Sequence, residues 1–134
     1  MADTKVKIYA SAIGRRKRSV ASVRLIPGKG EVVVNGKPAS VYFPGLQAQT
    51  RYETPFKLLS LTKYAAEVKV LGGGKSGQLD ATVLGLARAL SALKADHKIV
   101  LHTAHLLTRD SRERQRRMVG MGGKSRRKKQ SPKR

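Results

Sequence analysis

Cysteine is absent from the 134 residues, which excludes a disulfide framework and a thiolate zinc site. Tryptophan is absent as well, and two Phe and four Tyr are too few to make base stacking more than a minor mode for any nucleic-acid partner. No run of about 18 apolar residues occurs, so no spanning helix is expected. The N-terminal Met1-Ala-Asp-Thr-Lys-Val has neither the apolar stretch of a signal peptide nor the Arg/Ser-rich, acid-poor pattern of a transit peptide. Acidic residues are scarce, eight in all and scattered, with no evident carboxylate pair for acid–base work. No serine sits in a nucleophile-elbow context. These absences fit a soluble protein of a reducing compartment that is not an enzyme.

Positive charge is what the chain has in excess. Lys and Arg number 29, giving a net charge of +21 and predicting attraction to a polyanion. The distribution is uneven. Residues 1–107 carry 17 basic and 6 acidic side chains, and residues 108–134 carry 12 and 2. A fifth of the chain thus holds about half of the excess. Like charge at that density self-repels, and Met118, Val119 and Met121 bury too little surface to offset the entropy of ordering. The reading is one globular RNA-binding domain over 1–107, followed by a basic tail over 108–134 that is extended and ordered by a partner from about Gly120.

Val6, Ile8 and Ala10 alternate with polar neighbours as in a strand, up to Gly14 and Arg15-Arg16-Lys17-Arg18. Ala21, Val23 and Leu25 resume the period. Pro27-Gly28-Lys29-Gly30 is turn chemistry, and Glu31 to Val34 is a third strand, which suggests a meander. Asn35-Gly36 resembles a hairpin turn, but Pro38 argues against a paired strand after it and for a helical turn from Pro38 to Phe43. Thr54-Pro55 reads as a helix start, with Phe56, Leu59 and Leu61 on its apolar side. Tyr64 to Leu71 is a strand with Ala66, Val68 and Val70 on one face. Leu79, Val83, Leu86, Leu90 and Leu93 form one stripe of a helix that packs on the sheet. Asp96 to Ala104 is a second short helix. The fold class is α+β: a two-layer domain with a mixed sheet of about four strands, helices on one face, and the basic C-terminal tail appended.

Gly72-Gly73-Gly74-Lys75-Ser76-Gly77-Gln78 lies between that strand and helix and invites comparison with a phosphate-binding nucleotide loop. The spacing fails, because the first glycine of that motif falls at Lys69. No apolar strand ending in aspartate follows to hold magnesium. A glycine turn at a helix start, with Ser76 as a possible cap, suits an RNA phosphate equally well. His97, His102 and His105 match no zinc spacing. Arg15, Arg16, Lys17 and Arg18 at a turn between strands can fan toward one surface, and guanidinium forks suit phosphate tracking. Asp110 and Glu113, set among arginines, read as local salt-bridge partners. Recognition of folded RNA by shape and backbone is therefore favoured.

Gly14-Arg15-Arg16-Lys17, Pro27-Gly28-Lys29-Gly30, Tyr42-Phe43, Gly72-Gly73-Gly74 with Ser76-Gly77-Gln78, Gly85, Arg88-Ala89-Leu90, Leu107-Thr108-Arg109-Asp110 and Lys133-Arg134 occur in this order. Together they closely resemble the family of small-subunit ribosomal protein nine over nearly the whole chain, in its bacterial or organellar form. The resemblance implies the fold of the second domain of ribosomal protein five. It also implies a place in the subunit head beside neighbouring head proteins. The site would be a ribosome, in the cytoplasm or in an organelle. It assigns ribosomal-RNA contact to Arg15, Arg16, Lys17, Arg109, Arg126 and Arg127, and the basic clusters and glycine turn add Arg18, Gly73, Gly74, Lys75, Ser76, Arg112, Arg116, Arg117, Lys124 and Lys128 to the expected ribosomal-RNA surface. Contact with the peptidyl-site transfer RNA falls to Lys133 and Arg134, at the end of a tether of up to roughly 50 Å from Gly120 when fully extended. No cofactor, metal, membrane or homo-oligomer is implied. Two departures stand out: Val83 where the family often has arginine, and Lys129-Gln130-Ser131-Pro132-Lys133-Arg134 where it usually ends Pro-Gln-aromatic-Ser-Lys-Arg. The alternative class is a non-specific nucleic-acid-binding or packaging protein.

Overall fold

The computed structural model describes residues 7–133, so Val6 of the expected first strand and Arg134 at the tail's end lie outside the described residues. Five strands, β1 (Ala10–Arg16), β2 (Ser19–Pro27), β3 (Val32–Val34), β4 (Lys37–Pro38) and β5 (Tyr64–Leu71), form one mixed sheet in the order β1-β2-β5-β3-β4. The helices are α1 (Ala39–Tyr42), α2 (Leu46–Leu58), α3 (Lys75–Ser91) and α4 (Ala95–Thr103). All strand pairs are antiparallel except β3 with β5, which are parallel.

Alternation decides which face is buried. Ala21, Val23 and Leu25 of β2, Val32 and Val34 of β3, and Ala66, Val68 and Val70 of β5 share one side and are buried. Onto that side packs α3, whose Leu79, Val83, Leu86 and Leu90 stripe is buried as expected. Full burial of a Leu such as Leu86 or Leu90 stabilises the fold by about 1.5–3 kcal/mol. Both α2 and α4 pack on α3. The opposite face of the sheet carries exposed Ile13, Arg15, Arg24, Glu67, Lys69 and Leu71.

Three local expectations are corrected. The first three strands are not a meander: β5 inserts between β2 and β3. The Pro27–Glu31 turn widens to straddle it, with Gly28 N–H donating to Lys63 C=O and Gly30 N–H to Tyr64 C=O. Asn35-Gly36 does close a hairpin, both residues having positive φ (49° and 77°), and Pro38 pairs with Val33. Proline is tolerated there because β4 is the sheet's edge; the helical turn α1 follows directly. Finally, α2 begins at Leu46, well before Thr54, so Pro55 lies inside it. Burial of Tyr52, Pro55 and Phe56 in the core outweighs the hydrogen bond that proline forfeits.

Candidate nucleic-acid interface

Only Lys17 and Arg18 separate β1 from β2, with Lys17 in the left-handed region (φ 53°). Strand alternation therefore splits the four consecutive cations instead of fanning them toward one surface. Arg15, opposite Val20, stands exposed on the open face of the sheet. Lys17 and Arg18 are exposed at the tip. Arg16 faces the helix layer, and its side chain is only 13% exposed.

The inward turn of Arg16 gives it partners within the protein. Its Nε lies 3.5 Å from Asp80 Oδ2 in α3, and its Nη2 lies 3.2 Å from Asp110 Oδ2 at the root of the tail. Its Nη1 donates to the Arg112 carbonyl (2.7 Å) and more weakly to that of Asp110 (3.4 Å). Arg51 of α2 also holds Asp80. Arg112 grips Asp110 with Nε (3.0 Å), Nη2 (2.7 Å) and its backbone N–H (3.0 Å). These Arg112 bonds, with a smaller contribution from the charge of Arg16, hold the Asp110 carboxyl well below the usual carboxylate range. Residues 16, 51, 80, 110 and 112 are thus one ionic network, in which Arg16 is the member common to body and tail.

Beside the hairpin tip sits the glycine turn. Gly72 and Gly73 have positive φ (75° and 64°), and a Cβ on Gly72 would stand 2.6 Å from the Arg18 carbonyl oxygen. The buried Ser19 hydroxyl donates to the Gly72 carbonyl at 3.0 Å. Glycine is required here for conformation and for the close seating of the hairpin. Gly74 is the N-cap of α3 without any side-chain cap, and Ser76 lies within the first turn. A concavity of about 340 Å³ results, lined by Lys17, Arg18, Gly73, Gly74 and Gly77 together with Glu113 and Arg114 from the tail root. Lys75 is engaged nearby, its Nζ 3.4 Å from the Tyr42 ring centroid. Tyr42 in turn donates its hydroxyl to Gln78 Oε1 at 2.8 Å.

From Ala104 to Lys133 the chain has neither helix nor strand. Leu106 and Leu107 pack against the core, the ionic network follows, and Arg109, Arg112, Arg116, Arg117, Lys124, Arg126, Arg127, Lys128 and Lys133 are exposed. The backbone reverses on itself, Lys129 N–H donating to Gly120 C=O at 3.3 Å and Gly122 N–H to Arg127 C=O at 3.5 Å. This loop concentrates basic side chains and shortens the span from the straight-chain limit.

His97 Nδ1 lies 3.1 Å from the Leu90 carbonyl, which ties α4 to α3, and no metal-binding group of three His, Asp or Glu occurs among the described residues. No described helix is long and apolar enough to cross a membrane. Sequence reasoning missed Asp80 and Arg51 altogether. The one available signal was an aspartate on α3 one turn before Val83 and Leu84, in a chain with few acids.

The sequence profile of the family described as ribosomal protein S9/S16 matches residues 14–134. The chain is 44% identical over 119 residues to the small ribosomal subunit protein uS9c of Cyanophora paradoxa, covering 87% of this chain and 89% of that protein. It is 40% identical over 121 residues to the small ribosomal subunit protein uS9 of Synechocystis sp., covering 89% and 88%. The uS9 of Gloeothece citriformis is 43% identical over 121 residues, with the same coverage.

Proposed function

The chain belongs to the ribosomal protein S9/S16 family, a family of structural, non-enzymatic ribosomal proteins, and we propose that its body binds small-subunit ribosomal RNA while its tail reaches the peptidyl-site transfer RNA. The observation that carries this reading is the convergence of three distant stretches of sequence on one basic concavity. Lys17 and Arg18 come from the hairpin, Gly73 and Gly74 from the strand-to-helix turn, and Arg114 from the tail root. A phosphate backbone suits such a place: glycines admit close approach, the first N–H groups of α3 favour an anion, and flanking cations neutralise it.

The roles divide by position. Arg15, Lys17, Arg18, Gly73, Gly74, Lys75 and Ser76 form the body's ribosomal-RNA surface, with Lys75 oriented by Tyr42. Arg109, Arg112, Arg116 and Arg117 extend it along the tail root. Lys124, Arg126, Arg127 and Lys128 continue it on the loop, and Lys133 with Arg134 forms the transfer-RNA end. Arg16, which the sequence alone puts in the same set, instead holds the tail to the body. Few aromatics and no groove-reading helix are involved, so recognition is by RNA shape and phosphates.

The test is chemical footprinting of small-subunit RNA with the full-length protein and with a Lys17→Ala, Arg18→Ala, Arg114→Ala variant. Protection confined to a few backbone segments, lost around one of them in the variant, is the expected result. Uniform weak protection unchanged by the variant would instead indicate a non-specific binder.

A further inference from the structure

We infer that Arg16 and Asp110 form a clasp that fixes where the tail leaves the body before any RNA is bound. The inference rests on the reading of the tail as an RNA-binding segment and adds the means by which it is aimed.

Three observations support it. First, Arg16 is held on both sides. Asp80, itself paired with Arg51, holds its guanidinium from the helix layer, while the tail supplies a carboxylate and two backbone carbonyls. A planar fork satisfied by groups on two segments fixes direction as well as distance, which a single charge contact does not. Second, Asp110 is one of only two acids among the last 27 residues. In a segment suited to polyanions, an acid weakens attraction, so its presence needs a partner that uses it. Arg16 and Arg112 are those partners. Third, residues Leu106 and Leu107 immediately before it pack on the core, so the clasp is the last firm attachment before the exposed stretch. Pre-orienting a flexible arm lowers the ordering cost of its later binding.

Electrostatics and the clasp predict opposite signs for one substitution. Asp110→Asn removes a negative charge and raises the net charge of +21 by one. Counted as charge alone, it tightens binding to RNA. If the clasp aims the tail, the loosened root weakens binding despite the added positive charge.

The absence of cysteine makes the experiment direct. Spin labels are placed at Lys98→Cys on α4 and Gln115→Cys beyond the clasp in the full chain, and their separation is measured without RNA, with and without Asp110→Asn. A narrow distance distribution that broadens in the variant is expected, and Arg16→Lys, which keeps the charge but loses the fork, should broaden it too. Affinity for small-subunit head RNA is then measured for unlabelled protein at fixed salt, where Asp110→Asn should weaken binding on the order of fivefold. An unchanged distance distribution overturns the clasp. A broadened distribution with equal or tighter binding shows a clasp that does not aid RNA recognition, and overturns that part. The distance measurement involves no RNA, so its outcome is independent of whether the tail contacts transfer RNA.

Discussion

Gly14 of β1 and Gly85 of α3 meet backbone to backbone: a Cβ built on Gly14 would stand 2.5 Å from the Gly85 nitrogen and collide with the Ala81 carbonyl. The pair lets α3 lie close across the outer strand, and so keeps the hairpin tip beside the start of α3. The two glycines are not equivalent. A Cβ on Gly85 would meet Val23 Cγ2, on a fully buried β-branched side chain, at 2.7 Å and the Gly14 nitrogen at 3.2 Å, a milder crowding than the direct collision of a Gly14 Cβ with helix backbone. Gly14→Ala should therefore cost about 3 kcal/mol or more, and Gly85→Ala about 2 kcal/mol or less because its gain in helix propensity offsets part of the clash. Urea unfolding of the full chain, followed by circular dichroism, measures both. Equal costs would contradict the geometry.

Asn35 substitutes for a strand residue where β3 ends. Its side chain donates to the Val70 carbonyl at 3.0 Å and accepts from the Val70 N–H at 2.9 Å, while its own backbone takes a positive φ at the hairpin turn. Asn35→Ala removes both bonds and strains the turn, for an expected loss of about 1–3 kcal/mol. The same unfolding measurement applies, with Asn35→Asp as a companion that keeps an acceptor but no amide donor. A loss below about 0.5 kcal/mol for the alanine variant would be a surface-residue effect and not that of a ladder substitute.

Binding of RNA should fall steeply with salt. If six to ten phosphates are neutralised, affinity drops by about 10³–10⁵ between 50 and 200 mM salt. Removing Lys17 and Arg18 together should lower the slope by roughly two contacts, while a cation remote from the concavity, such as Lys57, should leave it unchanged. Filter-binding titrations of head-domain RNA against salt give these slopes. A flat dependence would contradict phosphate tracking.

Acid should release the tail root. The folded-state pKa of Asp110 is depressed below its ordinary 3.8, principally by hydrogen bonds from Arg112 and then by the charge of Arg16. Its contribution is thus complete above that ordinary value and is lost as pH falls through the depressed one. Carbon-detected NMR of the Asp110 carboxyl should show it ionised well below pH 3.8, with tail-root shifts changing together with it. Ordinary titration near the unperturbed value would mean that the network is open in solution.

Legibility in the sequence followed the range of the interactions involved. β5 and the apolar stripe of α3 are written in local periodicity, and both appear with the expected residues buried, except that α3 ends at Ser91 and leaves Leu93 half-buried beyond it. The insertion of β5 between β2 and β3 was not legible, because strand order depends on partners more than thirty residues away. α2 was misjudged at its start because Thr54-Pro55 carries strong local start signals, which core packing of Tyr52 and Phe56 overrides. In the site, charge density alone revealed a basic surface. The different fate of Arg16 depended on strand parity and on Asp80 and Asp110, residues 64 and 94 positions further along.

The central claim is that body and tail divide the work, one holding the subunit and the other touching transfer RNA. Deleting Lys129 to Arg134 removes three basic side chains and none of the buried core residues, so the body should fold and still join the subunit. The decisive measurement is transfer-RNA affinity at the peptidyl site of small subunits reconstituted with full-length or truncated protein, at fixed magnesium and salt. Exposed, screened contacts contribute on the order of 1 kcal/mol or less each, so a modest but reproducible weakening that grows at low salt is predicted. Equal affinity of the two subunits at low and moderate salt would contradict the claim and leave the protein a purely structural element of the subunit.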